Sequence, residues 1–121
     1  MNVICFELTA FKKFEVKCHP ALLEVSLDSA LSQAGIVEKT NQNDGAVSKY
    51  LISAGAKKGS PYCAAGVYWC FHAAADALEI DESEIPVKRT AAANEIYNDA
   101  VERGRKAEYR AKKHDLIVWR K

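Results

Sequence analysis

Cys63 stands where a broken loop, Gly59-Ser60-Pro61-Tyr62, gives way to the small, apolar run Ala64-Ala65-Gly66-Val67-Tyr68-Trp69-Cys70-Phe71. The pattern predicts a helix that opens on the cysteine. The first turn of a helix leaves backbone N–H groups unpaired and carries about half a positive charge, and both favour an anion. The thiolate is the nucleophilic form of cysteine, so Cys63 is the candidate nucleophile. On stripe position alone a packing role is the stronger reading. Cys63, Val67, Cys70, Phe71, Ala74 and Leu78 recur at helical spacing as one apolar stripe, and free cysteine is among the most buried residue types.

A nucleophilic thiol needs a base within about 3 Å, itself oriented by another group. The chain has three histidines. His72 lies nine residues along the same helix, about 13 Å from Cys63 at 1.5 Å per residue, and cannot reach it. No spacing argument brings His19 close. His114, just ahead of the apolar run Leu116-Ile117-Val118-Trp119, is the remaining candidate. Tyr62 precedes the thiol on its loop and is a candidate substrate contact. Asn43 and Asp44, followed by Gly45, either line the same cleft or cap the next helix. No metal and no cofactor is expected.

The elements that must hold these residues are read from periodicity. Residues 2–8 and 14–18 are rich in Val, Ile and Phe and predict two short strands. Residues 20–34 predict a helix with Leu23, Leu27, Ala30, Leu31 and Ala34 inward, Pro20 in its first turn and Gly35 past its end. A polar loop follows, then a short helix over 46–54 with Val47, Tyr50 and Leu51 inward and Gly55 as its stop. Cys63–Leu78 is the strongest helical pattern. Pro86 excludes a helix over 79–89. Thr90 is placed to cap a further helix ending near Arg103, with Ala93, Ile96, Tyr97, Ala100 and Val101 buried and Gly104 as its stop. Leu116–Trp119 reads as a buried strand. A two-stranded sheet is marginal, so this strand must pair with the N-terminal strands or with another chain, unless it frays.

At 121 residues the chain predicts one domain, 1–121, with 49% hydrophobic and 27% charged residues. A net charge of +1 gives no global attraction for nucleic acid or acidic membranes. The last third is basic, with a run from Arg103 to Lys113 that includes Tyr109. It either meets an anionic polymer or is a solvated surface, and it lacks the interleaved aromatics of single-strand binders. No apolar run approaches the roughly 20 residues of a membrane helix. Residues 1–11 are apolar but carry Glu7 and no basic leader, a poor signal peptide. The four cysteines are irregularly spaced and are expected as free thiols, with Cys70 in the core and Cys5 and Cys18 half-buried.

In order along the chain stand Glu38-Lys39-Thr40, Asn43-Asp44-Gly45, Tyr50-Leu51, Gly59-Ser60-Pro61-Tyr62-Cys63-Ala64-Ala65 and Trp69-Cys70-Phe71, then Ile85-Pro86 through Ala93-Asn94, and His114-Asp115-Leu116-Ile117-Val118-Trp119. This set resembles the front part of the CHAP-type cysteine, histidine-dependent amidohydrolase/peptidase family, papain-like enzymes of phages and bacteria that cut peptidoglycan. The resemblance covers roughly residues 26–121 and leaves 1–18 unmatched. It implies an α+β fold, the helix-rich front half of a papain-like cysteine peptidase with a short or incomplete antiparallel sheet. It also implies Cys63 as the nucleophile attacking an amide carbonyl of a peptidoglycan peptide. The family's basic His lies beyond the segment resembling 115–119, where this sequence has Arg120 and Lys121, and relatives have Gly where His114 stands. The expected function is therefore a peptidoglycan amidase or endopeptidase, incomplete or inactive as this chain alone. The alternative is a non-catalytic remnant that binds or self-assembles, as a homo-oligomer or by strand exchange through an open sheet edge. The chain is expected in the cytoplasm where it is made, reaching a cell wall only after lysis or dedicated export.

Overall fold

The computed structural model describes residues 1–6, 11–37, 39–40, 42, 44–104 and 111–119. Within these, the order of elements is β1 (Asn2–Phe6), β2 (Phe11–Glu15), α1 (Pro20–Ser32), α2 (Ser48–Ala54), α3 (Cys63–Leu78), a 3-10 turn (Glu82–Glu84), α4 (Ala93–Arg103) and β3 (Leu116–Trp119). The structure is thus mixed α/β, with four α-helices and a small three-stranded sheet among the described residues. None of its described helices is long and apolar enough to cross a membrane.

The sheet order is β2-β1-β3. β1 pairs with β2 antiparallel, Asn2 opposite Glu15 and Phe6 opposite Phe11. It pairs with β3 in parallel, Val3 opposite Leu116 and Phe6 opposite Trp119. The expected antiparallel sheet is therefore corrected to a mixed one. Parallel strands need a long crossover, and here the crossover contains all four helices. The last strand does pair within the chain, as one of the two expectations had it. Being an edge strand with one face outward, β3 buries Val118 while Trp119 is 73% exposed, so it is not the fully buried strand its composition suggested. Cys5 sits on the central strand and is fully buried rather than half-buried.

Helix α1 packs mainly on α3. Cys18 and His19, which lead into its N-terminus, share a surface recess with Ser83–Pro86, just beyond the end of α3. At the other end, the Tyr50 hydroxyl donates to Gln33 Oε1 at 2.9 Å, and Tyr50 faces Tyr62 and Gly66 at the start of α3. The two helices therefore run in opposite senses. The His19 imidazole caps α1 by accepting from the Ala21 N–H at 3.1 Å. The buried residues of α1 are Leu22 and Ser26, not the predicted Leu31, which is 65% exposed. The helix is apolar around most of its circumference, so periodicity left its facing undetermined and contact with α3 decided it.

Helix α3 is covered on two sides. Ala64, Tyr68, Phe71, Ala74 and Ala75 join the main core with Val3, Cys5 and Leu22, while Ala65 joins Val47, Tyr50, Leu51 and Ala54 of the α2 layer. The buried arc is therefore rotated from the predicted stripe. Val67 and Cys70 are half-buried and Cys63 is exposed. Val47, Tyr50 and Leu51 are buried as expected, and Gly55 closes α2 in the left-handed region at φ 68°.

Helix α4 starts at Ala93, with Ala92 and not Thr90 at its N-cap. Thr90 is buried two residues earlier, accepting from the Ala92 N–H at 3.0 Å and donating to the Glu95 carboxylate. Ile96, Tyr97 and Ala100 are buried as expected, whereas Ala93 and Val101 face outward. Gly104 ends the helix at φ −79°, a conformation any residue adopts, so close packing explains the glycine. A Cβ there would stand 2.6 Å from the Ala100 carbonyl oxygen and 2.6 Å from Phe14 Cβ on β2. Gly104→Ala is expected to destabilise the fold by about 1–3 kcal/mol through overpacking, read as a lowered urea midpoint at unchanged slope.

Candidate active-site groove

Gly59, at φ 83°, and Pro61 deliver the chain to α3 so that Cys63 is its first helical residue. Tyr62 is the N-cap residue, its carbonyl accepting from the Gly66 N–H at 2.7 Å, and no side chain caps the first turn. The turn whose backbone N–H groups have no partner in the helix thus begins on an exposed thiol. No disulfide joins any of the four cysteines. Burial pushes the thiols of Cys70 and Cys18 above the ordinary cysteine range, and Cys5 is sealed in the core.

Cys63 opens onto a groove of about 480 Å³ between α1 and α3. Leu23, Leu27 and Ala30 of α1 form one wall, and Val67, Cys70 and Phe71 of α3 form the other. Leu116 and the loop residues His114 and Asp115 border it as well. The residues predicted as the buried faces of both helices, Leu23, Leu27 and Ala30 against Cys63, Val67 and Cys70, are in fact the groove walls. Tyr62 also lines the groove, its ring 6.4 Å from that of Tyr50.

The structure therefore brings Cys63, Tyr62 and His114 to one groove, but does not pair the imidazole with the thiol. The His114 Nε2 lies 2.7 Å from Glu24 Oε1, with Lys113 Nζ 3.6 Å from the same oxygen. The hydrogen bond to His114 is the main cause holding the Glu24 carboxyl below its usual range. Glu24 is nine residues before Gln33, whose end of α1 meets the start of α3, which puts about 13 Å of helix between the two ends. No hydrogen bond joins the Cys63 sulfur to an imidazole among the described residues. His72 is engaged elsewhere, by Glu82 at 2.7 Å and Asp76 at 3.5 Å.

The other predicted contacts separate from the groove. Asp44 accepts from the Thr40 N–H at 2.8 Å and from the Thr40 hydroxyl at 2.7 Å, and the Thr40 hydroxyl bond is the main cause holding its carboxyl below the usual range. It closes its own loop and neither lines the groove nor caps α2, which has no side-chain cap. Asn43 lies outside the described residues, as do Glu38, Asn41 and residues 105–110 of the basic run with Tyr109. Sequence reasoning missed Glu24, Gln33 and Asp115. Glu24 interrupts the apolar run of α1, a signal visible in the chain. Asp115 is fixed by tertiary structure, accepting from the Asn2 N–H at 2.8 Å and the Lys112 N–H at 2.6 Å. No group of three or more His, Cys, Asp or Glu among the described residues is placed to hold a metal.

No family model, curated protein or solved structure matches the chain.

Proposed function

We propose that the protein is a CHAP-like, papain-type thiol hydrolase acting on amide bonds of the peptidoglycan peptide class, with Cys63 as nucleophile. The observation that carries this reading is an exposed cysteine as the first residue of a 16-residue helix, open to a groove large enough for part of a substrate. The Cys63 thiolate would attack the carbonyl carbon. The N–H groups at the start of α3 are available to the oxyanion, the arrangement that stabilises tetrahedral intermediates. As the C–N bond breaks, the leaving nitrogen would take a proton from water and depart as the amine, leaving a thioester on Cys63 that water then hydrolyses to the carboxylate and the free thiol.

The commitment of His114 to Glu24 favours a second reading, a binding module without turnover. The two are separated by one pair of measurements. Under the hydrolase reading, iodoacetamide at neutral pH modifies Cys63 much faster than Cys5, Cys18 or Cys70, and the Cys63→Ala chain loses all activity in a cell-wall clearing assay. Labelling of Cys63 at the rate of an ordinary exposed thiol, together with clearing that Cys63→Ala leaves unchanged, would sink the nucleophile and leave the binding module.

A further inference from the structure

We infer that Tyr62 is the specificity-determining residue of the groove: its hydroxyl hydrogen-bonds a backbone amide of the bound peptide close to the bond that is cut. The site thereby prefers peptides to ligands of similar bulk that carry no amide. The inference rests on the reading of the groove as a site for peptidoglycan peptide, and it names the contact by which that backbone is held.

A peptide laid in this groove needs partners for its own backbone. Each of its residues other than proline carries one N–H and one carbonyl, and covering such groups with apolar surface and no hydrogen bond is costly. The walls offered by Leu23, Leu27, Val67 and Phe71 supply no partner. Most polar side chains of the lining are already spent within the protein. The Ser26 hydroxyl donates to the Leu23 carbonyl at 2.9 Å. Gln33 accepts from the Tyr50 hydroxyl at 2.9 Å and donates to the Ser32 hydroxyl at 3.0 Å. His114 is bonded to Glu24, and Asp115 accepts from the N–H groups of Asn2 and Lys112. Tyr62 differs. It lines the groove, and its hydroxyl has no hydrogen-bond partner among the described residues.

The ring that carries this hydroxyl is anchored. It packs on the cluster of Val47, Tyr50, Leu51, Ala54 and Ala65, its centroid 6.4 Å from that of Tyr50. Tyr50 is fixed in turn by Gln33 and by a T-shaped contact with Trp69, centroids 5.5 Å apart. An anchored phenol can donate to a carbonyl or accept from an N–H without giving up a bond inside the protein. Tyr62 and Cys63 are consecutive, with Cα atoms about 3.8 Å apart, and an extended peptide residue spans at most about 3.6 Å. A peptide with its carbonyl carbon at the thiol therefore has a neighbouring amide beside the phenol.

The test compares the Cys63→Ala chain with the double variant Cys63→Ala, Tyr62→Phe, so that nothing turns over, and follows binding by NMR. One probe is N-acetyl-trialanine N-methylamide, an uncharged peptide. The other is toluene, which fills apolar space and has no amide. The hydroxyl removed is one the protein itself does not use, so the urea midpoint should stay where it is. Peptide binding should weaken by about three- to tenfold, as loss of one neutral hydrogen bond does, while toluene binding should not change.

A peptide that fails to bind, or binds equally well after Tyr62→Phe, overturns the inference. So does an equal loss for toluene, which would mean that the groove had changed shape. Peptide binding that depends on Tyr62, in a protein whose unaltered chain clears no cell wall, supports the inference and refutes the hydrolase.

Discussion

Leu22→Ala is expected to lower the stability of the fold by about 3 kcal/mol, within the 2–5 kcal/mol usual for such core truncations. Leu22 has no exposed surface and belongs to the cluster in which α1, α3 and the sheet meet, with Val3, Phe71, Ala74 and Ile85. The neighbouring groups lie on three different elements and cannot all collapse into the space a lost isobutyl leaves, so a cavity cost adds to the lost transfer energy. For a domain of this size that is a large share of a total of roughly 5–15 kcal/mol. The comparison that makes the experiment decisive is Leu31→Ala on the same helix. Leu31 is 65% exposed, and its truncation should change stability by less than about 0.5 kcal/mol. Urea titrations of both variants would show a lowered midpoint for the first alone. Equal losses would mean that α1 faces the core with its other side, and the groove between α1 and α3 would go with it.

The second large effect concerns Asp115, which fastens the return strand to the start of the chain. Its Oδ1 accepts from the Asn2 N–H at 2.8 Å. Its Oδ2 accepts from the Lys112 N–H at 2.6 Å and from the Asn2 side-chain amide at 3.4 Å. Asn2 is buried, so removal of the carboxylate strands its N–H away from water. An unsatisfied buried donor costs about 1–3 kcal/mol, and hydrogen bonds to a charged group are the stronger kind. Asp115→Ala is expected to destabilise by about 2–4 kcal/mol on that basis. The loss should be local in its first consequence: amide exchange at Ile117 and Val118 should accelerate more than exchange in α3, because the β1–β3 pairing depends on this clasp. Uniform acceleration across the chain would show that Asp115 serves the whole fold and not the strand pairing.

Local chemistry made much of this protein legible from its residues. Gly55 ends α2 because its backbone takes a left-handed conformation that costs other residues strain. Val47, Tyr50 and Leu51 point inward because a short helix with one neighbour has one face to bury. The break at Gly59-Ser60-Pro61 places Cys63 at the opening of α3, a result of backbone chemistry within a few residues. In each case the cause and its effect lie within a turn or two of chain.

Where the cause lay far along the sequence, the residues alone did not decide. An apolar helix such as α1 can bury any of several faces, and only its packing on α3 chose Leu22 over Leu31. The stripe on α3 that read as core became a groove wall because α1 and α2 each cover a different arc. Gly104 ends α4 because β2 approaches too closely for a Cβ, not because of the freedom a glycine has. The parallel sense of β3 followed from a crossover through four helices. His114 and Cys63 look like partners in a list of residue types, yet His114 is hydrogen-bonded to Glu24 of α1 and not to the thiol beside which it borders one groove. Residue type and spacing therefore determined which groups could react, and the packing of helices decided which of them meet.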